Sequence, residues 1–408
     1  MSLSTTFLFV AFAFIQVQMV YAQDKTTWWE VQSVDTMKYS RDLSRQKLKS
    51  SSFDAVIDKQ ISDIAALGST HVAIATPYDE EFYPMLVRWV TAARKNGLKV
   101  WFRGNFSGWE KWFDYPRMTR ADHLKLTTTF IKAHGNLFED GDIFTPCPEC
   151  ENGGPGDPRQ TGDIQGHRNF LIDSYNTATS AFREIGAGVK VGYFSMNYDV
   201  AKAIMDKKTT EALGGIVVID HYIPSAVKLA IDAKNIAEAS GGKVFFGEFG
   251  APIPDLHGNM NEESQAKWVS QALDALAREP SVIGVNYWVN VGGSTQMWSE
   301  SGTPRKVTEA MTSYYTPKRV SGRVLSQFNK PIADVDVSTI YKSVMTDKNG
   351  YFFIPVLPSD IKLTAKYQDT TIADVDVPTL SGDIQIIIPI TQTPWWQRIF
   401  DIFVGLFK

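Results

Sequence analysis

The sequence predicts an α/β protein: a (β/α)8 TIM barrel followed by a small all-β sandwich domain. Between about residues 28 and 315, short β-branched or aromatic runs alternate with longer segments of helical periodicity, a pattern typical of βα units on a parallel sheet. After Pro317 the pattern changes to short alternating strands separated by turn residues. The 408 residues provide enough length for one barrel of about 250 residues and a smaller module.

The barrel prediction depends on eight strand candidates, most of them nearly continuous apolar runs, as expected for strands buried on both faces. They begin at Trp28, Thr70, Leu98, Gly141, Val189, Gly215, Lys243 and Ser281. An open doubly wound sheet is the alternative arrangement. No glycine-rich dinucleotide or phosphate loop follows the first strand, so the closed barrel is favoured.

Two of the intervening helices carry clear signals. An apolar stripe with a proline near its start and a glycine just past its end predicts the helix after the second strand. The stripe consists of Leu86, Trp89, Val90 and Ala93, between Pro84 and Gly97. Asn261 is the predicted N-cap of a later helix whose apolar face holds Val269, Ala272, Leu273 and Leu276.

The ends of the chain suggest export. Residues 1–22 have an apolar run and a small-residue exit at Ala22, which predicts a signal peptide and a secreted or cell-surface protein. An uncleaved N-terminal anchor is the alternative. The aromatic tail, residues 394–408, is too short to span a bilayer and is expected either to lie at a membrane surface as an amphipathic helix or to dock on the protein.

Domain boundaries follow from these patterns: residues 24–316 for the barrel and 318–391 for the sandwich. In the second domain the order SGRV, KPIADVDV, MTDKNGYFFI resembles the carboxypeptidase-regulatory-like (transthyretin-like) modules that are appended to many exported enzymes.

Charge and cysteine content narrow the chemistry. A net charge of -4 without a Lys/Arg cluster argues against nucleic acid as a partner and suits a neutral substrate. In an exported protein Cys147 and Cys150 are expected to form a short disulfide, since a zinc site would need two further ligands. The histidines show no metal-ligand spacing, so we expect neither a metal nor another cofactor.

Two strand ends deliver glutamates to the barrel rim, where such barrels place reactive groups. Glu248 follows the apolar seventh strand, and a carboxylate there is costly to desolvate unless it is paired or used. Glu149 follows the fourth strand, three βα units earlier, which places the two across the barrel mouth. Two facing carboxyl groups about 5 to 5.5 Å apart are the requirement of retaining glycoside hydrolysis.

At these residues the sequence resembles clan A (family 5-like) of the glycoside hydrolases over about residues 27 to 315. The resemblance implies that Glu248, in GEFG, is the nucleophile and that a glutamate after the fourth strand is the acid/base. The family usually has Asn before its acid/base, whereas here Glu149 stands between Pro148 and Cys150. Glu149 is therefore the preferred acid/base, and Glu151 is the alternative.

The resemblance implies two further roles: Tyr222, after the sixth strand, as a hydrogen-bond donor to the nucleophile, and Trp288, after the eighth, as a stacking platform for the sugar. His221 is expected at the substrate, with a rim histidine that has its own hydrogen-bond partner as the alternative. Arg103 and Asn105 follow the third strand and are expected to hydrogen-bond the nucleophile or sugar hydroxyls, and for Arg103 a salt bridge within the barrel is the alternative. Trp109 and Trp112 come next in the chain, as candidates for outer subsites.

These residues predict a retaining glycoside hydrolase that cleaves a β-linked polysaccharide or oligosaccharide by double displacement, with Glu149 and Glu248 as the catalytic pair. The alternative from another class is a non-catalytic carbohydrate-binding or surface-adhesion protein on a barrel scaffold. A third hypothesis is a thiol oxidoreductase that uses Cys147 and Cys150.

Overall fold

The computed structural model describes residues 27–360, 362–368, 370–376 and 384–388. The predicted signal peptide and the aromatic tail lie outside these ranges. Within them, no helix is both long enough and apolar enough to cross a bilayer.

Eight parallel strands close into a barrel, as the sequence predicts. β1 pairs with β8, each strand from β2 to β7 pairs with the next one, and a parallel bridge between Asp35 and Ala73 joins β1 to β2. The strands are β1 Val31–Val34, β2 His71–Ile74, β3 Lys99–Phe102, β4 Ile143–Phe144, β5 Lys190–Val191 with Ser195–Asn197, β6 Ile216–Asp220, β7 Lys243–Phe249 and β8 Val282–Tyr287.

β5 differs from the prediction because it is interrupted. Gly192 has a φ of +98°, a left-handed conformation that L-residues with side chains rarely adopt and that breaks the ladder between the two segments. Its backbone also lies against the carbonyl of Leu213, so closely that an added Cβ would be 2.4 Å from that oxygen. The first segment pairs with β4 and the second with β6, and the barrel remains closed around the break.

The barrel interior is filled by side chains rather than open, as a barrel of eight strands requires. One layer is formed by a single buried residue from each of seven strands or strand extensions: Val31, Ala73, Trp101, Ile143, Tyr193, Val218 and Phe245. A larger apolar layer lies between the strands and the surrounding helices.

The helices alternate with the strands. They are Ser44–Lys47, Asp54–Ala66, Tyr83–Lys95, Ser107–Glu110, Arg120–Ala133, Pro158–Thr161, Ile164–Ile185, Tyr198–Ile204, Lys207–Ala212, Lys228–Ser240, Pro254–His257, Glu262–Arg278 and Val307–Tyr315. Shorter turns of helix span Lys38–Asp42, Ser51–Phe53, Trp112–Asp114, Gly135–Leu137 and Cys150–Asn152. The predicted stripe of Tyr83–Lys95 is buried, and the side chain of Asn261 accepts a hydrogen bond from Ser264 N at 2.8 Å, so both helix predictions are confirmed.

The second domain consists of two small sheets that enclose a common apolar core. Its strands are β9 Lys318–Ser326, β10 Asp336–Ser338, β11 Ser343–Met345, β12 Tyr351–Val356, β13 Lys362–Tyr367, β14 Thr370–Asp376 and β15 Ile384–Ile388. One sheet has the order β12-β9-β15 and the other β11-β10-β13-β14. The predicted turn before β12 is present, with Asp347 Oδ1 accepting from the backbone N–H groups of Asn349 and Tyr351 at 2.8 Å.

The two domains touch at the N-terminal end of the barrel. The ring of Tyr341 packs edge-on against Trp28 at 6.3 Å, and the Lys342 ammonium lies 4.8 Å from the centre of the Trp28 ring. The Arg278 guanidinium also lies over the Tyr341 ring, 5.1 Å from its centre. Trp28 precedes β1 and Arg278 ends the helix before β8, so this contact lies opposite the end of the barrel where the strands finish.

Candidate active site

Arg103 lies at the centre of the site. It follows β3, and its side chain is fully buried at the carboxyl ends of the strands. Nη1 donates to Asp35 Oδ2 at 2.8 Å and to Glu248 Oε1 at 2.6 Å. Nη2 donates to Ser195 Oγ and to Asp220 Oδ2, both at 3.1 Å. The planar fork of a guanidinium can bridge several acceptors in this way, so Arg103 connects strand ends from both halves of the barrel.

Glu248 reaches the mouth because β7 changes register beside β6. The shift falls between Ile219 and Asp220 and brings Asp220 opposite Glu248. The preceding residue must be small, since a Cβ on Gly247 would lie 2.4 Å from Asp220 Oδ1 and 2.9 Å from the Cβ of Ser195. In the run FFGEF, two buried phenylalanines are followed by the glycine that lets Asp220 and Ser195 approach the β7 backbone closely. The carboxylate of Glu248 comes directly after it.

Tyr222 completes the contacts of Glu248. Its hydroxyl donates to Glu248 Oε2 at 2.8 Å, while Oε1 is held by Arg103. Burial, and then the negative charge of Glu248, hold the pKa of Tyr222 well above its ordinary value, so the phenol stays a donor. Both carboxylate oxygens of Glu248 thus accept hydrogen bonds, which is the arrangement that stabilises an ionised carboxylate.

Trp288 packs against Tyr222, the residue whose hydroxyl donates to Glu248. The Trp288 ring meets the Tyr222 ring edge-on, with centroids 6.3 Å apart. The side chain is half-buried, its Nε1 has no partner among the described residues, and the peptide bond that follows it is cis. A partly exposed indole next to Tyr222 is suited to packing against the apolar face of a sugar ring.

Glu149 enters the site from a loop tightened by a disulfide. Cys147 and Cys150 are bonded, with Cα atoms 5.3 Å apart, as the sequence predicts for an exported protein. Between them Glu149 has a φ of +45°, a left-handed conformation that is costly for a residue with a side chain. Its backbone N–H donates to the carbonyl of Ser195 at 2.8 Å, which ties this loop to β5.

Carboxylate oxygens of Glu149, Asp220 and Glu248 all lie within 4.8 Å of one another. Burial, and then the negative charge of Glu248, raise the pKa of Glu149 to about 7. Glu149 therefore holds its proton at a pH where an exposed glutamate is ionised, while the neighbouring Glu248 is surrounded by donors. Two adjacent carboxyl groups in such unequal surroundings are suited to act as an acid and a base.

Glu151, the alternative to Glu149, has a different orientation. Its Oε1 accepts from the backbone N–H of Asn197 at 2.7 Å, and its Oε2 is buried with no partner in the described part of the chain. Burial raises its pKa as well. The carboxyl group that is brought against Glu248 is that of Glu149.

Other predicted site residues have structural partners. His221 Nε2 is hydrogen-bonded to Asp232 Oδ2 at 2.9 Å, and its ring stacks on Tyr198. Asn105 is fully buried, and its Oδ1 accepts from Phe106 N at 2.9 Å and lies 3.1 Å from His123 Nε2. The partners of the Glu248 carboxylate are Arg103 and Tyr222 rather than these side chains, although the backbone N–H of His221 donates to the Glu248 carbonyl at 2.9 Å.

The two tryptophans after β3 differ from each other. Trp109 is only 1% exposed, its Nε1 donates to the carbonyl of Cys150 at 3.2 Å, and it stacks on Phe170, so it supports the loop and cannot line an outer subsite. Trp112 is partly exposed and carries the Arg41 guanidinium 4.4 Å from its ring centre.

Sequence reasoning missed two acidic partners of Arg103, namely Asp35 and Asp220. Asp220 comes at the end of an apolar strand, in VVID, which is the same signal that identified Glu248 and would have found it. Asp35 follows VQSV, a strand with two polar residues, so this signal does not identify it. Ser195 also contacts Arg103, but a serine at a strand end carries no comparable signal.

Among the described residues, the cluster of Glu149, Asp220 and Glu248 is the one group of acidic, histidine or cysteine side chains close enough to hold a metal ion. The Arg103 guanidinium already pairs with two of its members. Positive charge is therefore supplied to this cluster by the protein itself.

No protein-family model matches the chain, and no curated protein matches its sequence. Solved structures do match it in fold. GH5_18 from Streptomyces cattleya in complex with GlcNAc has a TM-score of 0.53 at 14% identity, covering 74% of this chain and 84% of that one. A GH5_18 from Bifidobacterium longum subsp. infantis has a TM-score of 0.52 at 14% identity, with the same coverage.

A variant of the Streptomyces cattleya enzyme in complex with Manb1-4GlcNAc has a TM-score of 0.52 at 13% identity, over 72% of this chain and 84% of that one. At these identities the likeness concerns the fold. The chain shares the (β/α)8 barrel of these glycoside hydrolases.

Proposed function

We propose that the protein is a retaining glycoside hydrolase acting on a β-linked oligosaccharide or polysaccharide. The observation that carries the proposal is the pair formed by Glu149 and Glu248, whose carboxylate oxygens lie within 4.8 Å of each other in opposite protonation environments. Carboxyl groups about 5 to 5.5 Å apart suit a retaining mechanism, whereas an inverting enzyme needs about 6.5 to 9.5 Å to admit a water molecule.

Each glutamate has a distinct role in this mechanism. Glu248, oriented by Arg103 and Tyr222, attacks the anomeric carbon and forms a glycosyl ester. Glu149 gives its proton to the departing glycosidic oxygen and later removes a proton from the water that hydrolyses the ester. The Tyr222 hydroxyl and the Arg103 guanidinium hold the carboxylate of Glu248 in position for the attack.

The substrate class follows from the surroundings of the pair. Trp288, which packs against the Tyr222 ring, offers an aromatic surface to a sugar ring. A disaccharide such as Manβ1-4GlcNAc, which is bound by one structural neighbour, is a natural first member of a test panel of β-linked glycans.

The test uses three isosteric variants, Glu248→Gln, Glu149→Gln and Glu151→Gln, assayed on that panel for released reducing sugar. We expect the first two to lose at least about three orders of magnitude in kcat. Glu151→Gln is the matched control and should lose far less. NMR of the first product formed should show the β anomer, since two displacements restore the original configuration.

A small nucleophile separates the two roles further. In Glu149→Ala, azide should restore turnover of an aryl glycoside with a good leaving group, because the first step then needs no acid and azide replaces the base-activated water. Full activity in Glu248→Gln would refute the nucleophile. Glycan binding by the unmodified protein without any hydrolysis would instead support the non-catalytic carbohydrate-binding alternative.

A further inference from the structure

The charges around Arg103 do not balance. One guanidinium pairs with three buried carboxyl groups, those of Asp35, Asp220 and Glu248. If all three were ionised, the cluster would carry two uncompensated negative charges in a place with little access to water. Burying an unpaired charge is so costly that a carboxyl group in this position takes up a proton instead.

Hydrogen bonding indicates which carboxyl group holds that proton. Asp35 accepts through both oxygens, from Arg103 Nη1 at 2.8 Å and from Met37 N at 2.6 Å. Glu248 also accepts through both, from Arg103 and Tyr222. Asp220 accepts only through Oδ2, at 3.1 Å, and its buried Oδ1 has no partner in the described chain. A proton on Asp220 Oδ1 therefore displaces no existing donor.

We propose that Asp220 is a positioning residue that remains neutral and donates a hydrogen bond to the carboxylate of Glu149 once Glu149 has released its proton. The inference rests on the proposed hydrolase function. One carboxyl oxygen of Asp220 lies within 4.8 Å of an oxygen of Glu149 and of an oxygen of Glu248, and Glu248 already has donors on both oxygens. The remaining acceptor is Glu149.

The surrounding charges agree with a neutral Asp220. Burial raises its pKa well above the ordinary value, the positive charge of Arg103 opposes this, and the negative charges of Glu248, Glu149 and Glu151 add to the rise. The groups that face it are Arg103 after β3, Glu149 and Glu151 after β4, and Glu248 on β7, with Tyr222 and Asp35 one contact further away.

The proton balance of the reaction is unchanged by this role. In the first step the proton of Glu149 goes to the leaving oxygen as Glu248 bonds to the anomeric carbon. Asp220 keeps its own proton and shares it with the new carboxylate through a hydrogen bond. In the second step Glu149 takes a proton from water and returns to its resting state, so Asp220 is never consumed.

The first test compares Asp220→Asn, which keeps a neutral donor, with Asp220→Ala, which has none, in the alkaline limb of the pH profile of kcat/KM. We expect the alkaline limb of Asp220→Asn to lie at the same pH as that of the unmodified enzyme. Asp220→Ala should move it upward by roughly 1 pH unit, because the Glu149 carboxylate loses a hydrogen bond. If Asp220 were ionised, both changes would remove a negative charge beside Glu149 and move the limb downward. That outcome, or no movement in either variant, would overturn the proposal.

A second test does not depend on hydrolysis. In a Glu149→Gln background, the difference between the infrared spectra recorded at pH 6 with and without the further change Asp220→Asn should contain a protonated carboxyl band that belongs to Asp220. The subtraction cancels the bands of other protonated carboxyl groups, such as that of Glu110, which both proteins share. The matched control is Asp35→Asn, which alters another partner of Arg103 and should leave the band in place. Loss of the band in the Asp35 variant and its survival in the Asp220 variant would overturn the assignment. A protein that shows the expected band but no glycosidase activity would refute the proposed function alone.

Discussion

The protonation of Glu149 sets a measurable pH dependence. Burial and the charge of Glu248 raise its pKa to about 7, and the first step needs its protonated form. We therefore expect kcat/KM to fall above about pH 7, by a factor of ten for each further pH unit. Initial rates between pH 5 and pH 9 at low substrate concentration measure this limb. A profile that stays flat across that range would contradict the assignment of Glu149 as the acid.

Glu110 offers a second prediction, for stability. It ends the helix Ser107–Glu110, and burial, followed by the charge of Glu149, raises its pKa from 4.5 to about 8. A carboxyl group with a raised folded-state pKa contributes stability that is complete below pH 4.5 and is lost as the pH rises through 8. Glu110→Gln cannot ionise, so we expect it to exceed the unmodified protein in unfolding free energy by roughly 1–3 kcal/mol at pH 8.

Urea unfolding at pH 4 and pH 8 checks the Glu110 prediction, since the two proteins should converge at the lower pH. Glu238→Gln is the control, because Glu238 is exposed on the helix Lys228–Ser240. An equal gain for both variants, or a gain for Glu110→Gln that does not grow with pH, would contradict the prediction.

Single residues also show where sequence reasoning ends. Glu248 is identified because a carboxylate ends an apolar strand, and Asp220 carries the same signal, whereas Asp35 follows a strand that is half polar. What the sequence does not contain is the distance across the barrel, which decides that these side chains share one guanidinium. The choice between Glu149 and Glu151 likewise depends on a left-handed backbone at Glu149, and no local pattern specifies it.

At the level of elements, the strands were predictable because burial on both faces demands continuous apolar runs. All eight appear near their predicted positions. The break in β5 was not predicted, although Gly192 lies at its centre, since a glycine within a strand pattern is compatible with either a bulge or a regular ladder. The contact with the carbonyl of Leu213 makes the difference, and it is a tertiary contact.

Gly247 gives the prediction that belongs to β7. A methyl group there would meet Asp220 Oδ1 at 2.4 Å and a methyl carbon of Val218 at 2.9 Å, inside a packed barrel. We expect Gly247→Ala to cost about 2–4 kcal/mol of stability and to displace Glu248, lowering kcat at least tenfold. Gly135→Ala is the control, because its nearest contact would be an ordinary 3.4 Å. Equal thermal stability and activity of the two variants would show that β7 can adjust.

The whole molecule joins two domains through a small mixed contact. The Tyr341 ring contacts Trp28 and Arg278, and the Ser359 hydroxyl donates to Asp274 Oδ1 at 2.5 Å. Leu357 of the sandwich is 3% exposed and packs into the core of the barrel domain. The sequence did not predict this contact, because Tyr341 lies in a short loop outside any periodic pattern. Its position at the N-terminal end of the barrel separates it from Arg103 and the glutamates.

This separation leads to a prediction about coupling between the domains. Tyr341→Ala removes the ring that contacts Trp28 and Arg278. We therefore expect the unfolding free energy to fall by about 1–2 kcal/mol and proteolysis between the domains to become faster. We expect kcat/KM to stay within twofold, since the glutamates lie at the opposite end of the strands. The matched control is Ile340→Ala, at the position next to Tyr341. The Ile340 side chain is 76% exposed, so this variant should change neither stability nor proteolysis. Calorimetry and limited proteolysis measure the loss of stability, and the glycosidase assay measures kcat/KM. A fall in activity as large as the fall in stability would contradict the prediction, because it would mean that the second domain supports the end of the barrel that carries Arg103 and the glutamates.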